Sequence, residues 1–145
     1  MKRIAIINGP NLNLLGRREP KIYGKDSLDS IRLALEKASA GKAELVWRQS
    51  NHEGEIVDWL HEFGYGPERY DGIVLNAGAY THTSLAIADA IAAIPVPVVE
   101  VHLSNIFARE EIRHRSLIAP VCKGSISGFG ALGYVLAVTS FLYHT

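Results

Sequence analysis

Five apolar, β-branched runs alternate with segments of helical spacing, and this alternation constrains the chain more than any other feature. Residues 3–8, 43–49, 72–76, 96–102 and 118–121 read as strands. Residues 27–40 read as a helix, with Leu28, Ile31, Leu35 and Ala38 at helical spacing and Gly41 as its stop. Further helices are predicted over 53–63, 83–94 and 131–143, and 108–114 could form a short helical turn. Strands that are apolar throughout must be covered on both faces, which in strand–helix alternation means a parallel sheet. The predicted fold class is therefore α/β, a flavodoxin-like three-layer sandwich with a five-stranded parallel sheet of order 2-1-3-4-5.

Length and composition narrow the function. At 145 residues the chain is one domain, 1–145. A chain of this size buries about 68–70% of its unfolded surface, so it needs no disulfide or metal to hold a core. Zero net charge and 48% hydrophobic residues argue against disorder and against a general nucleic-acid binder. Cys122 is the only cysteine, and no Cys/His cluster has zinc-finger spacing. The apolar run after Arg3 is too short for a signal peptide, and no run reaches the roughly 18 residues of a membrane span. The expectation is a cytoplasmic protein without nucleic-acid or membrane partners.

In doubly wound sheets, ligands bind beyond the carboxyl ends of the strands. The first strand ends in Asn8 and leads to Asn11. The third ends in Asn76, followed by AGAYTH with His82 last. The fourth ends in His102, followed by Ser104 and Asn105. Any one of these could be a turn former, a cap or a solvated loop residue. Three central strand ends carrying amide or imidazole groups point instead to one crevice. Glu100 and His102 share a face of their strand. The carboxylate either orients the histidine or forms a structural ion pair with an arginine. Arg109 and Arg113 face the same way if their segment is helical, with Glu110 and Glu111 pointing elsewhere. They suit either carboxylate or phosphate recognition, or a solvated charged helix.

The stretch from Asn8 to Gly24, NGPNLNLLGRREPKIYG, has no phosphate-cradle pattern. Arg18 and Tyr23 lie between Gly16 and Gly24, which suits a mobile lid at about 17–25. A guanidinium beside a phenol favours phenolate, and lowering the pKa by two to three units takes roughly 3–4 kcal/mol of differential stabilisation. The loop can thus supply a general base. Alternatively, Tyr23 packs on the protein and the arginines are surface charges.

The segments GPNLNLLG (9–16), Arg18-Glu19-Pro20, Tyr23-Gly24, NAGAYTH (76–82), EVHLSN (100–105), AREE (108–111) and GFG (128–130) resemble, in order, the signature of the type II 3-dehydroquinate dehydratases. The resemblance covers almost the whole chain. It departs at Phe107, where many members carry histidine. It implies anti elimination of water from 3-dehydroquinate to 3-dehydroshikimate through an enolate. That is a hydro-lyase step of the shikimate pathway (chorismate and aromatic amino acid biosynthesis) or of quinate catabolism. It implies no cofactor and no metal. By position, Tyr23 would remove a C2 proton, with Arg18 favouring its phenolate and Asn11 helping to stabilise the enolate. His102 would protonate the departing C1 hydroxyl, oriented by Glu100. Asn76, His82 and Arg113 would hold the substrate's hydroxyl and carboxylate groups. The backbone amides of Leu103 and Ser104 would bind the carboxylate, and Arg109 would support the lid. Asp89 would reach a neighbouring subunit's site in a homododecamer built from trimers.

Without the resemblance, two apolar segments point only to a closed homo-oligomer of unstated size: residues 83–94, with Asp89 as their single charge, paired either across an interface or internally, and 131–138. Rival readings remain on the fold alone. A flavin or nucleotide module would want hydroxyls or tight glycines after the first strand. A phospho-receiver would want an acceptor aspartate where Asn76 stands. A non-catalytic assembly protein would leave the polar strand ends solvated.

Overall fold

The computed structural model describes residues 1–17, 20–23 and 26–143, with Pro20 and Tyr23 described through their backbone alone. Five strands, β1 (Lys2–Asn8), β2 (Ala43–Gln49), β3 (Gly72–Asn76), β4 (Val98–His102) and β5 (Gly124–Ser127), pair in parallel in the order β2-β1-β3-β4-β5. The predicted flavodoxin-like architecture is therefore correct. A one-turn helix α1 (Pro20–Tyr23) precedes α2 (Leu28–Ser39), α3 (Glu53–Tyr65), α4 (Leu85–Ala93) and α5 (Leu132–Leu142).

Alternation along each strand sends neighbouring side chains into two separate cores. Ala5, Ile7, Ile73, Leu75 and Val98 pack against Ile56, Leu60 and Phe63 of α3 and Ile87 and Ile91 of α4. Ile4, Ile6, Val74, Val99 and Val101 pack against Ile31 and Leu35 of α2 and Tyr134, Val138 and Phe141 of α5. Local chemistry agrees with this packing. Ser27 caps α2 by accepting from Ser30 N at 3.1 Å, while Ser27 N donates to Ser30 Oγ at 3.0 Å. Ser84 caps α4 by accepting from Ile87 N at 2.9 Å.

Two expectations fail. Residues 118–121 are not a strand: Ala119–Val121 is a 3-10 turn with Pro120 in it. The edge strand is Gly124–Ser127, GSIS, whose outer side pairs with no further strand among the described residues and so needs no apolar run. The mistaken run is apolar because Ile118 is fully buried under the α3–α4 side. Nor does 108–114 form one helical turn. It divides into 3-10 turns at Ile106–Ala108 and Glu111–Arg113, so the i, i+4 argument for Arg109 and Arg113 does not hold. The fourth strand also starts two residues later than predicted, immediately after Pro97.

Candidate active site

Parallel register brings the strand ends into one row. Gln49 pairs with Asn8, and Asn8 pairs with Asn76. Beyond them lie His102 and Ser127, paired across β4 and β5. A crevice of about 130 Å³ opens above the β1–β3 boundary, where the strand order reverses. That is the scale of a cavity that holds one six-membered ring, roughly 150 Å³. A wider cavity, about 670 Å³, lies near the amino ends of the strands between α2 and α5. Its walls include Lys2, Lys42, Asp71 and Val138, and none of the predicted site residues. Convergent polar chemistry, not size, therefore distinguishes the site.

The crevice is lined by Asn11, Asn76, His82, His102, Leu103, Ser104, Arg109 and Arg113, together with Pro10, Leu12, Gly78, Ala79 and Ile106. Eight of the predicted residues thus come together. Glu100 stands behind His102, fully buried. Asp89 does not line the crevice; it is exposed on α4. Arg18 and the side chain of Tyr23 lie outside the described residues, as does part of the predicted lid. Phe107 is exposed, with its ring 6.3 Å from that of His114, and does not line the crevice.

Two tight turns shape the wall. Gly9 N donates to Asn76 O at 2.7 Å, and a Cβ on Gly9 would sit 2.6 Å from the Ala77 carbonyl oxygen. Only glycine lets the turns after β1 and β3 approach this closely. Asn11 then adopts left-handed geometry, φ 68°, and its N–H donates to Asn51 Oδ1 at 2.9 Å. Asparagine tolerates that region better than most residues.

The amides divide their roles. Tyr134, fully buried on α5, donates to Asn8 Oδ1 at 2.6 Å and accepts from Asn76 Nδ2 at 3.0 Å. Asn8 Nδ2 donates to Arg48 O at 3.1 Å, so this strand end is spent on the core and does not reach the crevice. Asn76 Oδ1 accepts from Gly78 N at 3.2 Å. One Asn76 amide hydrogen remains for the crevice. Burial pushes the Tyr134 phenol far above its ordinary range, although the Asn76 bond opposes this, so it stays a donor.

His102 Nε2 lies 3.0 Å from Glu100 Oε2 but off the N–H axis, a close polar contact rather than an in-line hydrogen bond. The in-line bonds to Glu100 come from hydroxyls: Ser116 Oγ to Oε2 at 2.6 Å and Ser125 Oγ to Oε1 at 2.5 Å. Burial raises the Glu100 pKa, but the His102 contact and the two hydroxyls outweigh it, and the group lies below its ordinary value. Of the two readings left open for Glu100, the histidine partner is the one observed. The His82 ring lies 6.4 Å from that of His102, and its Nδ1 is 2.8 Å from Arg115 O. A carbonyl only accepts, so Nδ1 carries a proton toward Arg115 O, and Nε2 is the ring nitrogen left for a ligand.

Arg109 and Arg113 both line the crevice, but one expectation about their neighbours fails. Glu110 does not point away: Arg113 Nε donates to Glu110 Oε2 at 2.6 Å, and Arg109 Nη2 lies 4.0 Å from Oε1. The Arg113 bond holds the Glu110 carboxyl below its ordinary value. Burial pushes the Cys122 thiol up to about 12, which leaves it a poor nucleophile. No group of three or more His, Cys, Asp or Glu among the described residues is arranged to hold a metal ion. Sequence reasoning missed Tyr134, Asn51, Ser116 and Ser125. Tyr134 alone left a signal, as a hydroxyl inside an otherwise apolar helix.

A doubly wound sheet, a crevice at its switch point and a His–Glu pair backed by amide and guanidinium donors define a flavodoxin-like α/β enzyme. Residues 2–142 match the family described as dehydroquinase class II. The 3-dehydroquinate dehydratase of Bacillus licheniformis is 55% identical over 98% of this chain and 97% of its own. The 3-dehydroquinate dehydratase 1 of Agrobacterium fabrum is 58% identical over 93% of this chain and 92% of its own. The crystal structure of the type II dehydroquinase from Butyrivibrio crossotus superposes with a TM-score of 0.93 at 44% identity, covering 98% of both chains. The chain belongs to the class II dehydroquinase family, a family of hydro-lyases.

Proposed function

We propose that this single domain converts 3-dehydroquinate to 3-dehydroshikimate and water by anti elimination through an enolate, as a step of the shikimate pathway. The leaving hydroxyl is β to a ketone, so the C2 proton is acidified. The path needs one base, one acid and donors for a developing oxyanion. The observation that carries this reading is the convergence of His102, backed by Glu100, with Asn11, Asn76, His82 and Arg113 around one ring-sized crevice in a dehydroquinase-family chain.

In the proposed sequence, the Tyr23 phenolate takes the C2 proton, with Arg18 favouring its ionised form. Electrons move to the ketone oxygen, where Asn11 stabilises the enolate. His102 then donates a proton to the C1 hydroxyl. As water leaves, the enolate collapses and the C1–C2 double bond forms. Proton transfer from Tyr23 back to His102 through solvent resets the site. Nε2 of His82 hydrogen-bonds to a substrate hydroxyl. Arg113 exchanges its Glu110 partner for the substrate carboxylate, which the amides of Leu103 and Ser104 also receive, and Arg109 supports the lid at 17–25.

A homododecamer built from trimers fits the exposed outer stripe of α4: Leu85, Ala86, Asp89, Ala92 and Ala93 carry one charge among apolar groups. In that assembly Asp89 serves a neighbouring subunit's site. A cytoplasmic location fits a chain in which no helix among the described residues is long and apolar enough to cross a membrane.

The test is direct. Protein mixed with 3-dehydroquinate should produce the ultraviolet absorbance of a conjugated enone. Tyr23→Phe, which keeps the ring but not the proton acceptor, should nearly abolish that signal with the fold intact. Retention of about a tenth of the turnover, a barrier change of only about 1.4 kcal/mol, would remove Tyr23 from the role of base.

A further inference from the structure

Glu100 is a fully buried carboxylate whose orientation is set by groups other than the histidine it serves. Ser125 is its direct cross-strand partner, paired with it in register across β4 and β5. Its hydroxyl reaches Oε1 from the edge of the sheet at 2.5 Å. Ser116 approaches Oε2 at 2.6 Å from the segment before the 119–121 turn. The Ser116 oxygen also accepts from Ala119 N at 3.0 Å, so its single proton is committed to the carboxylate. His102 reaches the same Oε2 only obliquely. The two hydroxyls therefore fix the plane of the carboxylate, and the imidazole takes its position from that plane.

We infer that Ser116 and Ser125 are positioning residues that clamp the Glu100 carboxylate between two hydroxyl donors so that His102 is held for proton donation. The inference rests on the acid role of His102 given above. The same segment also reaches the other imidazole. Arg115 O accepts from His82, and Leu117 N donates to Thr81 O at 2.9 Å. Residues 115–117 thus tie both histidines of the crevice to one strap. Neither serine touches the crevice, so neither is a catalytic residue.

A mutant cycle separates this from a general structural role. Ser125→Ala and Ser116→Ala are made in the wild type and in the His102→Ala background, and elimination is measured beside exchange of the C2 proton with solvent. In the wild type each serine loss should slow elimination by about tenfold, the low end for a hydrogen bond to a charged group. Exchange should stay within about twofold. In the His102→Ala background the further loss in elimination should shrink to within about twofold. Ser125→Thr, which keeps the hydroxyl at an exposed strand edge, should restore the rate. Equal serine losses in both backgrounds, or no loss in the wild type, would overturn the inference. If His102→Ala itself depressed exchange as much as elimination, the acid role of His102 would fail, while the cycle would still decide whether the serines act through that side chain.

Discussion

Tyr134→Phe is the substitution with the best-defined cost. The hydroxyl is fully buried and makes two bonds, donating to Asn8 Oδ1 at 2.6 Å and accepting from Asn76 Nδ2 at 3.0 Å. Phenylalanine fills the same ring space, so no large cavity forms and the packing against Trp47, 5.7 Å between ring centroids, persists. What changes is polar. Asn8 Oδ1 and Asn76 Nδ2 each lose a partner at positions with 0% and 3% exposure, where water can approach only Asn76, and only from the crevice. Each orphaned group costs about 1–3 kcal/mol, partly offset by the hydroxyl no longer being desolvated, so a net loss of about 3 kcal/mol is expected. For a chain of this size that lowers the midpoint of thermal unfolding by about 6–12 °C. Differential scanning calorimetry at matched protein concentration measures it. Turnover should also fall, because Asn76 keeps only its Gly78 bond and can rotate away from the crevice. A midpoint shift below about 2 °C, corresponding to under about 1 kcal/mol, would mean that the two amides find other partners and that Tyr134 does not organise them.

Three further outcomes follow from particular contacts. Glu100, with its pKa lowered in the fold, contributes stability that is fully present above the ordinary glutamate value of about 4.3 and is lost as pH falls through its lower folded value. Glu100→Gln should therefore flatten the acid dependence of the unfolding free energy in that window; an unchanged slope in urea titrations would show that other carboxylates carry it. Gly9→Ala should cost about 1–3 kcal/mol or more, because the new Cβ meets backbone atoms of Ala77 at 2.6–2.7 Å and the two crevice turns must separate; a neutral urea midpoint would refute that close approach. Asp89→Ala should lower both the mass seen by light scattering and the turnover, whereas an active, stable wild-type monomer at dilution would defeat the assembly reading.

Most of the fold could be read from the sequence because a parallel sheet buried on both faces leaves a dense apolar signal. β2 and β3 stand at the predicted bounds, and β1 differs by one residue, since burial and strand identity coincide there. The signal separates from the structure where burial and hydrogen-bonded strand part company. Ile118 is buried without belonging to a strand, and Ser125 belongs to a strand without being buried. Pro120 was the available warning in the first case, because proline cannot donate to a ladder.

That one misplacement also determined how much of the site could be found. The residues facing the crevice lie at the ends of correctly placed central strands, so adjacency alone gathered Asn11, Asn76, His82 and His102. Asn8 obeyed the same logic and still fell on the wrong side. Alternation turns it toward α5, and only the partner there, Tyr134, shows that its amide is already used. For Glu100 the histidine or an arginine was named as partner, but the two hydroxyl donors could not be. Ser125 is opposite Glu100 only when β5 is placed at 124–127, and Ser116 is near only when the chain turns at 119–121. A carboxylate fully buried beside one obliquely placed imidazole has an unmet demand for donors. Once the edge strand is correctly registered, the hydroxyls at 116 and 125 meet it, and the long-range pairing of β4 with β5 becomes part of what holds His102 in place.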